Sequence, residues 1–198
     1  MAGISSLCVY CGSRVGTDPG HGAAARRLGV LLAEAGVRLV YGGGRIGLMG
    51  VLADAVLDAG GAVTGVIPDF LEKPELVHPR VADMIVVPSM HARKHRMFVL
   101  SDAFAALPGG TGTLDETIEV ITWKQLGLHD KPIVLVANGP AGAGYWAPFQ
   151  ALIEHIVGAD FAGPEVAALY SVVESVDDLL GAASRALTEP PTARQDRL

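Results

Sequence analysis

The sequence predicts a doubly wound, Rossmann-like α/β fold in which a parallel sheet of about six or seven strands is flanked by helices. Three observations predict this class. Short apolar segments alternate with longer segments whose apolar residues recur at helical spacing. The apolar segments are continuous rather than alternating, as is typical of strands that are buried on both faces. A regular alternation of strand and helix requires parallel strands joined by right-handed crossovers.

Seven segments match the strand pattern, and glycine, proline or polar residues bound them. The last segment is short, which leaves the predicted strand number at six or seven. The predicted strands cover residues 4–10, 37–41, 62–67, 84–88, 103–108, 131–137 and 171–175.

Six further segments match the helix pattern. Gly36 ends the first of them, and Ser89 is a suitable N-cap residue for the third. The predicted helices cover residues 20–35, 47–61, 89–102, 113–127, 146–158 and 176–187. Together these elements predict one domain over residues 1–188, followed by a disordered tail at 189–198.

Composition narrows the function classes. Half of the 198 residues are hydrophobic, which is enough for a sizeable core, and the net charge is −6 without any basic run. We therefore expect no nucleic-acid partner. No stretch approaches 18 uninterrupted apolar residues, and the first residues lack a signal-peptide pattern, so we expect no membrane span and a cytoplasmic location.

Three loops follow predicted strands and should meet at one edge of the sheet: CGSR (11–14), GGGRIG (42–47) and PGGTGT (108–113). In doubly wound sheets, ligands bind outside the carboxyl ends of the strands. GGGRIG fits the dinucleotide fingerprint, but it follows the second strand and no acidic residue ends the next strand, which argues against NAD. Gly42, Gly43 and Gly44 are predicted to let the backbone approach a nucleotide closely, or else only to form tight turns.

The segment PGGTGTLDE has the chemistry of an anion site. It is not a Walker A loop, because no Lys-Ser/Thr follows the glycines. Gly109, Gly110 and Gly112 allow several backbone N–H groups to face one point, and Thr111 and Thr113 add hydroxyl donors. With the partial positive charge of a helix N-terminus, this turn is predicted to hold a phosphate.

Glu116 has two interpretations that the sequence alone leaves open. Thr113 and Glu116 form a T-x-x-E capping box, which would make the glutamate a helix cap. Alternatively, the carboxylate points past the phosphate toward the sugar of a nucleotide. The helical segment MHARKHRM offers Arg93 and Lys94 either as part of a solvated basic face or as positive charge for the phosphate.

Metal and redox chemistry are not expected. Cys8 and Cys11 have C-x-x-C spacing, but in a strand they would point to opposite faces, and the chain has no second cysteine pair. His91 and His95 lack the glutamate that an H-E-x-x-H zinc motif places after its first histidine. We therefore predict neither a metal nor another cofactor.

These motifs together resemble the LOG ("lonely guy") family, whose members are often described as lysine decarboxylases. The family signature P-G-G-x-G-T-x-x-E is matched from Pro108 to Glu116. Other segments resemble the family in the same order along nearly the whole chain, and loop 68–80 resembles it least. They are CGSR, YGGGRIGLMG, GVIP, SMHARK, SDAFAALPGGTGTLDE and ITWKQLGLHDKPIVL.

The resemblance implies a cytoplasmic homodimer that hydrolyses the N-glycosidic bond of cytokinin riboside 5′-monophosphates, and of AMP, to free base and ribose 5-phosphate. The catalytic arginine and glutamate of the family match Arg93 and Glu116, and a substrate-binding glutamate matches Glu75. If Arg93 and Glu116 reach the same site, the pair is expected to hold Glu116 ionised. Trp123 could lie in a dimer interface or in the core.

Two alternatives to this activity stay open. The protein could be a carrier or sensor that binds a nucleotide without cleaving it, or a general AMP nucleosidase in nucleotide salvage. A lysine decarboxylase fits poorly, because a pyridoxal phosphate enzyme needs a Schiff-base lysine and a larger cofactor site, and the chain has only four lysines.

Overall fold

The computed structural model describes residues 3–139 and 144–188, so the predicted tail at 189–198 lies outside the described residues. The strands are β1 (Ser6–Tyr10), β2 (Arg38–Tyr41), β3 (Val63–Pro68), β4 (Asp83–Val87), β5 (Ala103–Ala106), β6 (Ile133–Val136) and β7 (Ser171–Val173). In the described part of the chain they form one seven-stranded parallel sheet in the order β4-β3-β2-β1-β5-β6-β7. The predicted fold class and all seven strands are confirmed.

The α-helices also follow the predicted pattern. Ser89 accepts a hydrogen bond from the Ala92 N–H at 3.1 Å, which confirms it as an N-cap residue. No helix in the described ranges is long and apolar enough to cross a membrane. The helices are α1 (Pro19–Glu34), α2 (Gly47–Asp58), α3 (Met90–Val99), α4 (Thr111–Gln125), α5 (Ala147–Gly158) and α6 (Leu179–Thr188).

The core has two layers, one on each face of the sheet. Helices α1, α2 and α6 pack on one face, and α3, α4 and α5 pack on the other. Successive β1 residues alternate between the layers, with Leu7 and Val9 in the first and Cys8 and Tyr10 in the second, and all four are buried. This is the two-sided burial that a continuous apolar strand predicts.

Strand β4 departs from that prediction, although its sequence is as apolar as the other strands. It lies at the edge of the sheet, where it pairs only with β3, and its side chains are partly exposed. Val86, for example, is 42% exposed. Apolar composition alone therefore does not separate an edge strand from a central one.

The centre of the sheet is the topological switch point. From β1 the chain runs outward through β2, β3 and β4, and then returns to β5 on the other side of β1. The loops after β1 and β5 are tied together by a hydrogen bond from the Gly12 N–H to the Pro108 carbonyl at 3.0 Å. The Leu48 N–H of α2 donates to the Gly12 carbonyl at 2.9 Å, which brings the loop after β2 to the same place.

Candidate active site

A cavity of about 510 Å³ opens at the carboxyl edge of the sheet, beside this switch point. Its position is where doubly wound sheets bind ligands, and its volume suits a nucleotide-sized molecule. All three loops that the sequence places at this edge contribute to it. The lining residues are Cys11, Ser13, Arg14, Gly42, Gly44, Ile46, Met49, Ile67, Leu71, Leu76, Met90, Arg93, Gly110, Thr111, Gly112, Thr113, Asp115 and Glu116.

The N-terminus of α4 forms one wall of the cavity. Gly110 is its N-cap residue, and no side chain caps the helix. The first-turn residues Thr111, Gly112 and Thr113 all line the cavity. Because the first N–H groups of a helix have no intrahelical acceptor, and the helix dipole is positive there, this wall suits a phosphate.

The capping-box interpretation of Glu116 is wrong. Helix α4 begins at Thr111, two residues before the predicted start, so Thr113 lies inside the first turn rather than at the N-cap. Glu116 consequently lies in the second turn, out of reach of the free N–H groups. The carboxylate is buried and available for another role.

Gly109 has a different task from the glycines that follow it. A Cβ at this position would collide with the Thr113 hydroxyl and lie 2.8 Å from the Gly12 nitrogen. Only glycine lets the turn before α4 pack this closely against the loop after β1. Gly109 therefore shapes the turn, while Gly110 and Gly112 face the cavity.

Glu116 and Arg93 both line the cavity and lie next to each other. The distance from Arg93 Nη1 to Glu116 Oε1 is 3.4 Å, and the two side chains are only 11% and 10% exposed. Arg93 Nε also donates to the carbonyl of Val66, within β3, at 3.2 Å. The structure thus brings together the two predicted catalytic residues, one from α3 and one from α4.

Two opposing effects set the pKa of the Glu116 carboxyl. Burial raises this pKa, and the smaller effect of Arg93 lowers it, so the net direction is upward. Arg93 therefore favours the ionised form of Glu116, in the direction that the sequence predicts for the pair. A carboxylate with a raised pKa is a stronger base, which favours a role in proton transfer.

The first glycine of GGGRIG leaves room for the Arg93 side chain. A Cβ on Gly42 would collide with Nη2 of Arg93 and lie 3.0 Å from its Cζ. Gly43 has a φ of 73°, and its carbonyl accepts the His78 N–H at 3.0 Å, but it does not line the cavity. Gly44 does line the cavity, beside Met49.

Four of the predicted substrate-binding residues lie outside the cavity lining: Gly43 and Gly109, already described, and Glu75 and Lys94. The Lys94 ammonium lies 3.1 Å from both Asp115 Oδ2 and Glu119 Oε1, so α4 already neutralises its charge. Glu75 is exposed on the loop after β3, whereas its neighbour Leu76 reaches the cavity.

The largest set of lining residues that sequence reasoning missed is apolar. These side chains, called the apolar wall below, come from four separate segments, so no local pattern marks them. They are Ile46, Met49, Ile67, Leu71, Leu76 and Met90. Backbone hydrogen bonds from the Arg45 N–H to the Leu76 carbonyl (2.8 Å) and from His78 to Gly43 hold the loop after β3 over the cavity.

The two cysteines lie in different core layers, as the strand geometry predicts. Cys8 packs with α3, α4 and α5, whereas Cys11 packs with α1 and α2 and touches the cavity. Burial raises the pKa of both thiols well above the ordinary value, so neither is a reactive thiolate at neutral pH.

The fold and the cavity together define a Rossmann-like α/β protein whose site combines an uncapped helix N-terminus with a buried carboxylate–guanidinium pair. Residues 49–182 match the model of a protein family described as "Possible lysine decarboxylase". The chain is 43% identical over 178 residues to the cytokinin riboside 5′-monophosphate phosphoribohydrolase of Rhodococcoides fascians, covering 89% of this chain and 88% of that protein. It is 45% identical over 158 residues to the phosphoribohydrolase LOG1 of Arabidopsis thaliana, covering 80% of this chain and 72% of that one.

Solved structures show the same fold at lower sequence identity. A molybdenum cofactor carrier protein from Chlamydomonas reinhardtii is 23% identical with a TM-score of 0.70, and covers 93% of this chain and 98% of that one. The molybdenum cofactor binding protein from Rippkaea orientalis is 21% identical with a TM-score of 0.68, covering 95% and 99%. At these identities the likeness extends to the fold alone.

The chain belongs to the LOG family of phosphoribohydrolases, for which the family model carries the description of a possible lysine decarboxylase. The cavity does not fit that description. Within the described part of the chain, no lysine lines the cavity, so these residues offer no amine for a Schiff base.

Proposed function

We propose that this protein hydrolyses the N-glycosidic bond of cytokinin riboside 5′-monophosphates, and of AMP, to free base and ribose 5-phosphate. The Arg93–Glu116 pair carries the proposal, because Glu116 lies in the second turn of α4, just beyond its uncapped first turn. The rise of about 1.5 Å per residue places Glu116 about 7.5 Å along the helix from Thr111. A nucleotide whose phosphate lies on the first turn would therefore place its ribose beside the carboxylate.

In the proposed reaction, the bond from the ribose C1′ to the base nitrogen breaks and its electron pair stays with the base. The sugar develops oxocarbenium character, as in glycoside hydrolysis. Water then supplies the oxygen that C1′ gains and the proton that the base gains. Each of these changes needs a negative or basic group close to C1′ and some stabilisation of the leaving base.

Glu116 supplies the first requirement, since an ionised carboxylate stabilises the positive sugar and can accept a proton from water. Its raised pKa makes it the stronger base for this step. Arg93 fixes the carboxylate from 3.4 Å and can orient the substrate or assist the departing base. Burial of both side chains strengthens these interactions by excluding water.

The apolar wall supports a base with an apolar substituent. Leu71, Leu76 and Met90 lie within the same cavity as the Arg93–Glu116 pair, so an isopentenyl group on adenine would meet side chains rather than water. Burying one such chain contributes about 0.8 kcal/mol for each CH₂ group. We therefore expect isopentenyladenosine 5′-monophosphate to be the better substrate and AMP to be a slower one. A faster reaction with AMP would assign the protein to general nucleotide salvage.

The test is a comparison of base release by the wild type and three variants. Glu116→Gln and Arg93→Gln should lose at least about a hundredfold in kcat, because each removes a charged group from the reacting centre. Glu119→Gln is the matched control, since this residue lies on the same helix and is not among the cavity-lining residues. It should keep activity close to that of the wild type. Tight binding of both nucleotides without release of base would sink the hydrolase proposal and favour a carrier or sensor.

We also propose a homodimer in the cytoplasm. Exposed apolar side chains on the edge strand and its neighbouring helix support self-association, among them Val86 and Val99, which are 42% and 53% exposed. Trp123 contributes less, because it packs edge-on against Phe98 within the protomer at a centroid distance of 5.1 Å. Light scattering of the purified protein tests the oligomeric state, and a monomer at micromolar concentration would refute it.

A further inference from the structure

Tyr145 and Trp146, which directly precede α5, contact the segment that leads into the phosphate end of the site. The Tyr145 hydroxyl donates a hydrogen bond to the Gly109 carbonyl. The backbone of Tyr145 is fixed in turn, because its N–H donates to the Ala137 carbonyl at the end of β6, at 2.8 Å. Next to it, the buried indole of Trp146 donates to the Ala106 carbonyl at 3.1 Å. Trp146 thus holds Ala106, the last residue of β5, and Tyr145 holds Gly109 in the turn that follows this strand.

Tyr145 contacts this turn without lining the proposed substrate cavity. It lines a separate neighbouring cavity of about 400 Å³, together with Gly109 and His21. Its ring packs edge-on against His21, with centroids 5.9 Å apart and an interplanar angle of 83°. Neither Tyr145 nor Gly109 is among the residues that line the catalytic cavity. Any effect of Tyr145 on the substrate must therefore pass through the turn.

The planarity of the peptide bond supplies that route. In a trans peptide, the Gly109 carbonyl and the Gly110 N–H point in opposite directions. Gly110 lines both cavities and is the N-cap residue of α4. A hydroxyl that holds the carbonyl on the Tyr145 side therefore holds the N–H toward the catalytic side. Glycines on both sides of this peptide leave its orientation free unless another group fixes it.

We propose that Tyr145 is a positioning residue that fixes the Gly109–Gly110 peptide and so presents the Gly110 N–H to the substrate phosphate. The inference rests on the proposed function, because it names a residue that organises the phosphate end of the same site. Tyr145 touches no reacting atom. Its loss should weaken binding of the phosphate and leave the bond-breaking step at Arg93 and Glu116 almost unchanged.

The test is Tyr145→Phe, which keeps the ring and removes only the hydroxyl. Removing one such hydrogen bond should raise the KM for AMP by about tenfold and change kcat by less than about twofold. The inhibition constant of inorganic phosphate should rise by a similar factor. Calorimetric binding of adenine, which has no phosphate, should stay at the wild-type value. Tyr170→Phe removes a hydroxyl from a partly buried tyrosine outside both cavities and should change none of these quantities.

Equal weakening of AMP and adenine binding would show general loosening of the site and overturn the positioning role. An unchanged KM and an unchanged phosphate inhibition constant would overturn it as well. Calorimetry with AMP tests the role of Tyr145 independently of whether the protein hydrolyses AMP. If the wild type binds AMP without releasing base, the hydrolase proposal fails, whereas a tenfold weaker AMP affinity in Tyr145→Phe still supports the positioning role.

Discussion

Replacing Gly42 with alanine tests whether the position of the Arg93 guanidinium matters for activity. The φ of Gly42 lies outside the left-handed region, so alanine introduces no backbone strain. The added methyl group would collide with Arg93 Nη2 and lie 3.0 Å from its Cζ and 3.3 Å from the Met49 sulfur. Because carbon atoms prefer separations of about 3.5–4.0 Å, the guanidinium must retreat.

The size of the effect follows from the geometry of the ion pair. A retreat of about 1.4 Å would lengthen the 3.4 Å separation between Arg93 Nη1 and Glu116 Oε1 to about 4.8 Å. At an effective dielectric constant of about 20, the attraction would fall from about 5 to about 3.5 kcal/mol, which corresponds to about tenfold in rate. Misplacement of a catalytic group by about 1 Å can cost up to about a hundredfold. We expect kcat to fall between these two limits.

The assay is steady-state release of free base, with thermal unfolding as a check that the variant folds. Gly22→Ala is the matched control, since a Cβ there, within α1, meets nothing within 4 Å. It should leave kcat unchanged and stabilise the protein by about 0.5–1 kcal/mol. Wild-type kcat in Gly42→Ala would refute the idea that Gly42 reserves space for Arg93. An equal loss of activity in the control would show that the effect is not specific.

Three further predictions follow from charge and burial. Glu116→Gln should raise the unfolding temperature at neutral pH. Folding raises the pKa of Glu116, so the folded protein is more stable with this carboxyl protonated, and its stability falls as the pH rises through the folded pKa. Glutamine stays neutral and avoids this loss. The difference should vanish below the unfolded pKa of about 4.3, and no difference at neutral pH would contradict it. In the wild type, the acid limb of kcat/KM should lie above the ordinary glutamate pKa, and Arg93→Gln should move it further upward; a limb at the ordinary value would contradict this. Lys94→Gln should change the KM for AMP by less than about threefold, because Asp115 and Glu119 already pair with that ammonium; a tenfold rise would assign Lys94 to the phosphate.

The fold was predictable because its signals are local and repeated. Each strand is a continuous apolar run and each helix has its own periodicity, so the element order could be derived without knowledge of any contact. The edge position of β4 was not predictable in this way, because the strand has a central-strand sequence and only one neighbour. The start of α4 was not predictable either. The local capping motif predicts a start at Thr113, whereas the helix begins at Thr111. Just before that start, Gly109 packs against Gly12, a contact between segments that are distant in sequence.

The site was predictable where a residue type carries its own chemistry. Glycine loops, a carboxylate and an arginine mark the phosphate end and the reacting pair. Leu71 and Leu76 carry no such mark, because they enter the cavity through the pairing of their loop with Gly44 and Arg45. The net pKa shift of Glu116 was also out of reach, since it depends on how much water the folded chain excludes.

Product identification tests the proposed hydrolysis most directly. Isopentenyladenosine 5′-monophosphate is incubated with the wild-type protein, and base, ribose 5-phosphate, nucleoside and inorganic phosphate are all quantified over time. We predict free base and ribose 5-phosphate in equal amounts, with neither nucleoside nor inorganic phosphate, and loss of both products in Glu116→Gln. Release of nucleoside and inorganic phosphate would show that the protein cleaves the 5′-phosphate ester rather than the N-glycosidic bond. A bound but intact nucleotide would contradict hydrolysis altogether.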